Sequence, residues 1–266
     1  MPRLIATSLA WLLVPLTTVA QDWAKERLEN SPRHQEWVQV KHDDRSVDSF
    51  LVFPEVEHKA TGVVVIHEIF GLADWVRSLT DQLAEAGYVA IAPDLLSGMA
   101  PGGGGTSKLG GPDGARRAIA SLPQDQITAD LNAAVDYLAK LPACNGKVVV
   151  CGFCWGGRQA FQFATENKNI KAAFVFYGNG PESPEAIQRI AAPIYGFYGG
   201  NDARVNATIP QTKELMQAAG KRFDPVIYEG AGHGFMRAGE APDASPANRE
   251  ARAAAWQRWK KLLEAI

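Results

Sequence analysis

Val148-Val149-Val150-Cys151-Gly152-Phe153-Cys154-Trp155-Gly156-Gly157 is the stretch on which the fold of this chain turns. Its first half is a short apolar run with no polar alternation, as expected of a strand covered on both faces. The run then passes through Gly-x-Cys-x-Gly-Gly into a helical stretch from Arg158, the pattern of a nucleophile elbow with cysteine in place of serine. The strand-to-helix turn is so tight that Cβ atoms at its flanks would collide, which accounts for Gly152 and Gly156 and leaves the Cys154 side chain presented on top of the sheet. The sulfur also falls at a helix N-terminus, where the macrodipole favours thiolate over thiol, so the geometry is expected to begin activating it. A free cysteine beside a glycine-rich turn can instead be a small core residue. A dinucleotide loop is a further alternative, but the spacing lacks Gly-x-Gly-x-x-Gly, and neither alternative accounts for what lies downstream.

Working outward, further apolar runs occur at Val63 to Ile66, Tyr88 to Ala92, Ala172 to Tyr177, Ile194 to Tyr198 and Pro225 to Tyr228. Helical-period stretches near Trp75 to Ala86, Ile127 to Leu141 and Ala207 to Ala219 lie between them, and a long one runs from about Asn248 to the end. Strands alternating with helices build a parallel sheet with right-handed crossovers and helices on both faces. Upstream, Trp37 to Val40 and Val47 to Phe53 flank the polar His42-Asp43-Asp44-Arg45, as an antiparallel hairpin would. The expected fold class is therefore α/β, a mostly parallel central sheet with an N-terminal antiparallel hairpin. One domain is expected over residues 37–266, preceded by a surface extension at 21–36. Residues 1–20 have the layout of an export signal: Arg3, an apolar stretch from Leu4 to Leu16, and Thr18-Val19-Ala20 before the polar Gln21-Asp22. Cleavage after Ala20 would leave an exported protein, periplasmic or secreted, with no stable membrane association.

Of the 266 residues, 46% are hydrophobic and 21% charged, enough to bury a sizeable core without disorder. Lys+Arg 27 against Asp+Glu 29, with no long run of either sign, removes the field that nucleic acid or an anionic membrane would need. Three cysteines are too few and of the wrong parity for a disulfide framework. Residues 147 to 151 read as extended, which puts Cys144 and Cys151 too far apart to pair; the first is expected in a turn and the second inside the sheet.

If Cys154 is a nucleophile on such a sheet, its acid and base should follow it in the chain, each just after a strand. Ile194 to Tyr198 leads into Gly199-Gly200-Asn201-Asp202, and Pro225 to Tyr228 leads into Glu229-Gly230-Ala231-Gly232-His233. Taken singly, Asp202 could be a turn or cap residue and His233 a solvated loop imidazole. Together, in this order, they match acid and base. His34, His42 and His58 lie in polar stretches and read as solvent-facing, whereas His67-Glu68 ends a central strand at its carboxyl edge. No second histidine follows at zinc-helix spacing, Gly71 standing there, so no metal site and no cofactor are expected. Gly98 to Gly114, with Gly102-Gly103-Gly104-Gly105 and Gly110-Gly111, reads as a mobile surface loop, either a tolerated insertion or a lid. Its glycines are not followed by the Gly-Lys-Ser/Thr of a phosphate loop.

From about residue 37 onward the sequence resembles the dienelactone hydrolase family of α/β-hydrolases. The matching pieces are His67-Glu68-Ile69-Phe70-Gly71, Ala92-Pro93-Asp94-Leu95, Gly152-Phe153-Cys154-Trp155-Gly156-Gly157, Gly200-Asn201-Asp202 and Gly232-His233-Gly234-Phe235. The resemblance implies a triad of Cys154, Asp202 and His233, with Glu68 contacting the resting thiol and tuning its ionisation. It implies an oxyanion hole from the Ile69 and Trp155 amides, and a substrate-binding arginine at Arg237. Family members that open a carboxylate-bearing lactone hold it with two arginines; where the second should follow Asp94-Leu95, this chain has Leu96-Ser97-Gly98-Met99. Arg116 and Arg117 read as solvated helix charges. The expected activity is hydrolysis of a lactone or small carboxylic ester through a thioacyl intermediate, on a small-molecule substrate. The alternatives are a ligand-binding protein that retains the triad without turnover, and a broader aryl- or phosphate-ester hydrolase.

Overall fold

The computed structural model describes residues 21–266, so the export segment expected at residues 1–20 lies outside the described residues. In the strand that carries Cys151, residues Val148 and Val150 enter one core while Val149, Cys151 and Phe153 enter the other. Successive side chains of a strand point to opposite faces, so a strand between two cores must be apolar at every position. Val63 and Val65 against Val64 and Ile66 repeat the arrangement.

Eight strands form one sheet: β1 (Gln35–His42), β2 (Arg45–Val52), β3 (Ala60–Ile66), β4 (Val89–Pro93), β5 (Cys144–Phe153), β6 (Ala173–Phe176), β7 (Ile194–Gly199) and β8 (Phe223–Tyr228). Their order is β1-β2-β4-β3-β5-β6-β7-β8. The hairpin pairs antiparallel, with Val40 opposite Val47, and β2 joins β4 antiparallel; all other pairs are parallel. The helices are α1 (Asp22–Glu29), α2 (Asp74–Glu85), α3 (Pro112–Ala120), α4 (Gln124–Lys140), α5 (Trp155–Glu166), α6 (Pro184–Gln188), α7 (Ala203–Asn206), α8 (Ile209–Ala218), α9 (Phe235–Ala238) and α10 (Pro246–Glu264). Helices α1, α2 and α10 cover one face through Leu28, Trp75, Leu79 and Trp259. Helices α4, α5 and α8 cover the other through Leu131, Phe161 and Met216.

The expected strands and long helices are present, with ends displaced by a few residues. Five readings of the fold need correction. Residues 21–36 are more than a surface extension: α1 puts Ala24 and Leu28 into the core against α2. The stretch Ala207 to Ala219 is helical only from Ile209, a separate turn of helix, α7, preceding it. His42 is not solvent-facing, because its Nε2 lies 2.6 Å from Asp130 Oδ1 on α4, an oxygen that also accepts from Arg45 Nε at 2.7 Å. The Asp130 carboxylate is fully buried, so it requires such partners.

The fourth correction concerns Gly98 to Gly114. Its centre is pinned rather than loose: Asp94 Oδ2 accepts from the Thr106 amide at 2.7 Å and Oδ1 from the Thr106 hydroxyl at 2.7 Å. The same hydroxyl oxygen accepts from the Leu72 amide at 2.9 Å, tying the segment to the loop after β3. A Cβ on Gly105 would lie 2.1 Å from Asp94 Oδ2, so glycine here permits the close approach that the carboxylate makes. Cys144 opens β5 rather than occupying a turn, and Cys144, Cys151 and Cys154 are all free thiols.

Candidate active site

The carboxyl ends of β3, β5, β6, β7 and β8 lie side by side, and each delivers one or two polar groups to a common place. The elbow between β5 and α5 is the most constrained. Cys154 has φ 57° and ψ −115°, a strained conformation for a residue with a side chain, held by its amide donating to the Phe176 carbonyl at 3.0 Å. A Cβ on Gly152 would sit 1.9 Å from the Gly156 carbonyl oxygen. One on Gly156 would sit 2.4 Å from the carbonyl oxygens of both Ile66 and His67. The glycines let the elbow touch itself and the end of β3, the close packing read from their spacing.

Asp202 follows β7 and caps α7, its Oδ1 accepting from the Val205 amide at 3.4 Å. Its other oxygen, Oδ2, lies 2.5 Å from His233 Nδ1 on the loop after β8. The carboxylate is buried and the imidazole opens to solvent, the arrangement that orients a ring and leaves its second nitrogen free. The structure thus brings Asp202 and His233 together. Among the described residues, the Cys154 thiol makes no hydrogen bond to His233; Tyr177 packs edge-on against the imidazole, its ring 5.0 Å from that of His233.

Glu68 is buried beside the sulfur and accepts from Arg237 Nε at 2.8 Å. Burial and the Glu68 charge push the Cys154 thiol up to about 11, while the Trp155 amide and the cations Arg204 and Arg237 pull it down. Desolvation of the charged form and the Glu68 charge oppose the activation expected from the helix terminus and favour the neutral thiol at rest. Ile69 lies on the tight turn after β3 and packs with Trp155 around Leu96 and Ala115. Arg116 is not simply solvated; its guanidinium lies 5.0 Å from the Phe70 ring centre, and Arg237 lies 5.4 Å from the same ring. Among the described residues no group of three or more His, Cys, Asp or Glu is placed to hold a metal ion.

A family model described as "Dienelactone hydrolase family" matches residues 47–266. The chain belongs to the dienelactone hydrolase family. Among its curated relatives, a "Putative carboxymethylenebutenolidase" of Salmonella typhimurium is 32% identical over 216 residues, covering 76% of this chain and 75% of the relative. A protein of the same name from Saccharolobus solfataricus is 30% identical over 255 residues, covering 84% and 96%. The crystal structure of a "Putative Dienelactone Hydrolase" from Klebsiella pneumoniae superposes with a TM-score of 0.75 at 24% identity, over 88% of this chain and 99% of that one, a likeness of fold. The fold is that of the α/β-hydrolases, and the protein is a carboxymethylenebutenolidase-like hydrolase.

Two residues around this dienelactone hydrolase site, Tyr177 and Arg204, escaped the sequence, and a third, His67, was placed at the sheet edge without a role. Tyr177, read as the last residue of a strand, lies just past β6 with φ 43°, buried, its phenol pushed well up by burial and by Glu68. Its place directly after an apolar run, at the sheet edge from which the loops carrying Asp202 and His233 also start, is the signal that could have found it. His67 is fully buried: Nδ1 donates to the Glu68 carbonyl at 2.9 Å, the ring stacks on Trp155 at 5.4 Å, and burial lowers its affinity for a proton. It is a neutral wedge between the β3 loop and the elbow. Arg204, two residues after Asp202, adds a cation that nothing in the local sequence distinguishes from a surface charge.

Proposed function

We propose that the protein hydrolyses a lactone or small carboxylic ester with Cys154 as nucleophile, His233 as base and Asp202 as its orienting acid. The observation that carries this reading is the Asp202–His233 contact of 2.5 Å, made by two residues 31 apart in sequence at the same sheet edge as the elbow cysteine. With Nδ1 held by Asp202, His233 Nε2 is the nitrogen left to take a proton. The reaction requires the Cys154 side chain to turn so that Sγ reaches this nitrogen. The proton passes from Sγ to Nε2, and the sulfur attacks the carbonyl carbon. The carbonyl oxygen takes the negative charge between the Ile69 and Trp155 amides, each such donor being worth about 2.7–4 kcal/mol in the transition state.

Collapse then breaks the bond to the alkoxide oxygen, which leaves with the proton from His233. In a lactone the leaving oxygen remains tethered to the acyl group. Water, deprotonated by His233, opens the thioester and returns the acid and the thiol. Arg237 offers a cation to a substrate carboxylate, which must compete with Glu68 for it. The competing reading, a ligand-binding protein without turnover, gives no covalent species at Cys154. Intact-mass detection of a thioacyl adduct on Cys154 with a panel of lactones and esters separates the two. Cys154→Ala should abolish both adduct and hydrolysis while remaining folded; undiminished hydrolysis by that variant overturns the mechanism. Residues 1–20 are proposed to direct export, with cleavage after Ala20, checked by N-terminal sequencing of the exported protein.

A further inference from the structure

Beside the nucleophile's surroundings lies a cavity of about 1030 Å³, bounded by the β1–β2 hairpin, the start of α2, Phe70 and the pinned glycine segment at Thr106. That volume lies at the top of the ~300–1,000 Å³ range usual for small-molecule sites and greatly exceeds what a single small ring requires. Of its lining, the hydrolytic chemistry above uses Arg237 alone. Arg237 joins the two regions: its Nε meets Glu68 next to Cys154, while its guanidinium rests on Phe70, and both Arg237 and Phe70 line the cavity.

At the hairpin wall stands Trp37, 55% exposed and the one large aromatic among the exposed apolar residues described. It is not free to swing, because it tilts against Phe50 at 5.6 Å and Arg77 lies 5.8 Å from its ring centre. The electrostatics narrow the chemistry of an occupant. The two cavity arginines are already matched, Arg77 by Asp74 and Arg237 by Glu68. Asp48, facing the cavity from β2, has no ion pair or side-chain hydrogen bond among the described residues, which disfavours a second anion there.

We propose that this cavity is a subsite for an uncharged aromatic group at the far end of the substrate, and that Trp37 determines specificity by stacking on it. The substrate class is an ester or lactone extended by an aryl group. The proposal rests on the hydrolytic reading of Cys154, and the test is built to separate the two.

Hydrolysis of ethyl acetate, ethyl 4-phenylbutanoate and 4-phenylbutyl acetate, followed by pH-stat, places the aryl group on neither, the acyl or the alcohol side. At least one aryl ester should exceed ethyl acetate about tenfold in kcat/KM, the order expected for one aromatic contact. Trp37→Ala should remove that preference through KM, Trp37→Phe should restore most of it, and Ile227→Ala, an exposed apolar change on β8 outside the cavity, should keep it. Calorimetric titration with 4-phenylbutanamide, which the enzyme is not expected to cleave, should show binding weakened about tenfold by Trp37→Ala. Equal amide affinity and equal ester preference in parent and Trp37→Ala overturn the subsite. Trp37-dependent amide binding with no ester hydrolysed supports the subsite and overturns the hydrolytic reading.

Discussion

At Cys154 burial comes first in setting the ionisation of the sulfur, and two neighbours of opposite charge, Glu68 and Arg237, adjust it with effects that can be separated by sign. With the thiol at about 11, only about one molecule in a thousand carries thiolate at pH 8. Glu68→Gln removes the negative charge that raises it and frees Arg237 to act unopposed, so the thiolate fraction rises. Alkylation of Cys154 by iodoacetamide at pH 8 should accelerate about tenfold, with the midpoint of the rate profile moved to lower pH. Arg237→Ala removes a cation and leaves Glu68 uncompensated, so labelling should slow and the midpoint should rise. Equal rates in parent and both variants would show that neither charge reaches the sulfur. The placement of Cys154, Asp202 and His233 at one edge of the sheet was legible in the sequence because each follows an apolar strand in a glycine-bracketed loop. It did not reveal the state of the thiol, since desolvation depends on what Phe153, Tyr177 and Glu68 bury around it, a property of the packed molecule rather than of the motif.

The elbow shows how far glycine spacing can be read as geometry. Gly156→Ala would drive a Cβ to within 2.4 Å of two backbone carbonyl oxygens that belong to β3 and its loop, and neither can retreat without breaking the sheet edge. Urea unfolding should show a loss of about 4 kcal/mol or more, or no soluble protein. Gly220, at the end of α8, has φ 67° with nothing within 4 Å of a built Cβ, so Gly220→Ala should cost only the left-handed strain, about 1 kcal/mol. A similar loss for both would mean that close approach is not what the elbow glycines provide. The Val148–Phe153 part of β5 was legible because each of its positions is buried. The glycine segment was misread because its order comes from Asp94, twelve residues before Thr106, whose carboxylate collects donors that composition alone presents as a loose loop.

Across the whole molecule, the N-terminal segment is fastened by polar groups more than by its sparse apolar face, which is why residues 21–36 looked detachable. Ala24 and Leu28 are the buried side chains of α1, too few to announce a packed helix. What holds the following chain is Asp81 on α2, with no exposed side-chain surface. It accepts from Ser31 Oγ at 2.6 Å, from Arg33 Nε and Nη2 at 3.0 and 2.6 Å, and from Gln35 Nε2 at 3.1 Å. Those donors lie about fifty residues upstream, a pairing that no local pattern encodes. Removing Arg33 strands a buried charge, so Arg33→Ala should lower stability by about 3 kcal/mol, at the weaker end for a broken buried pair because Ser31 and Gln35 remain. Asp81→Asn in the same background removes the stranded charge and should recover part of that loss. The four-variant cycle by urea unfolding reads the coupling directly, and additivity of the two changes would show that the segment is held by something other than this ion pair.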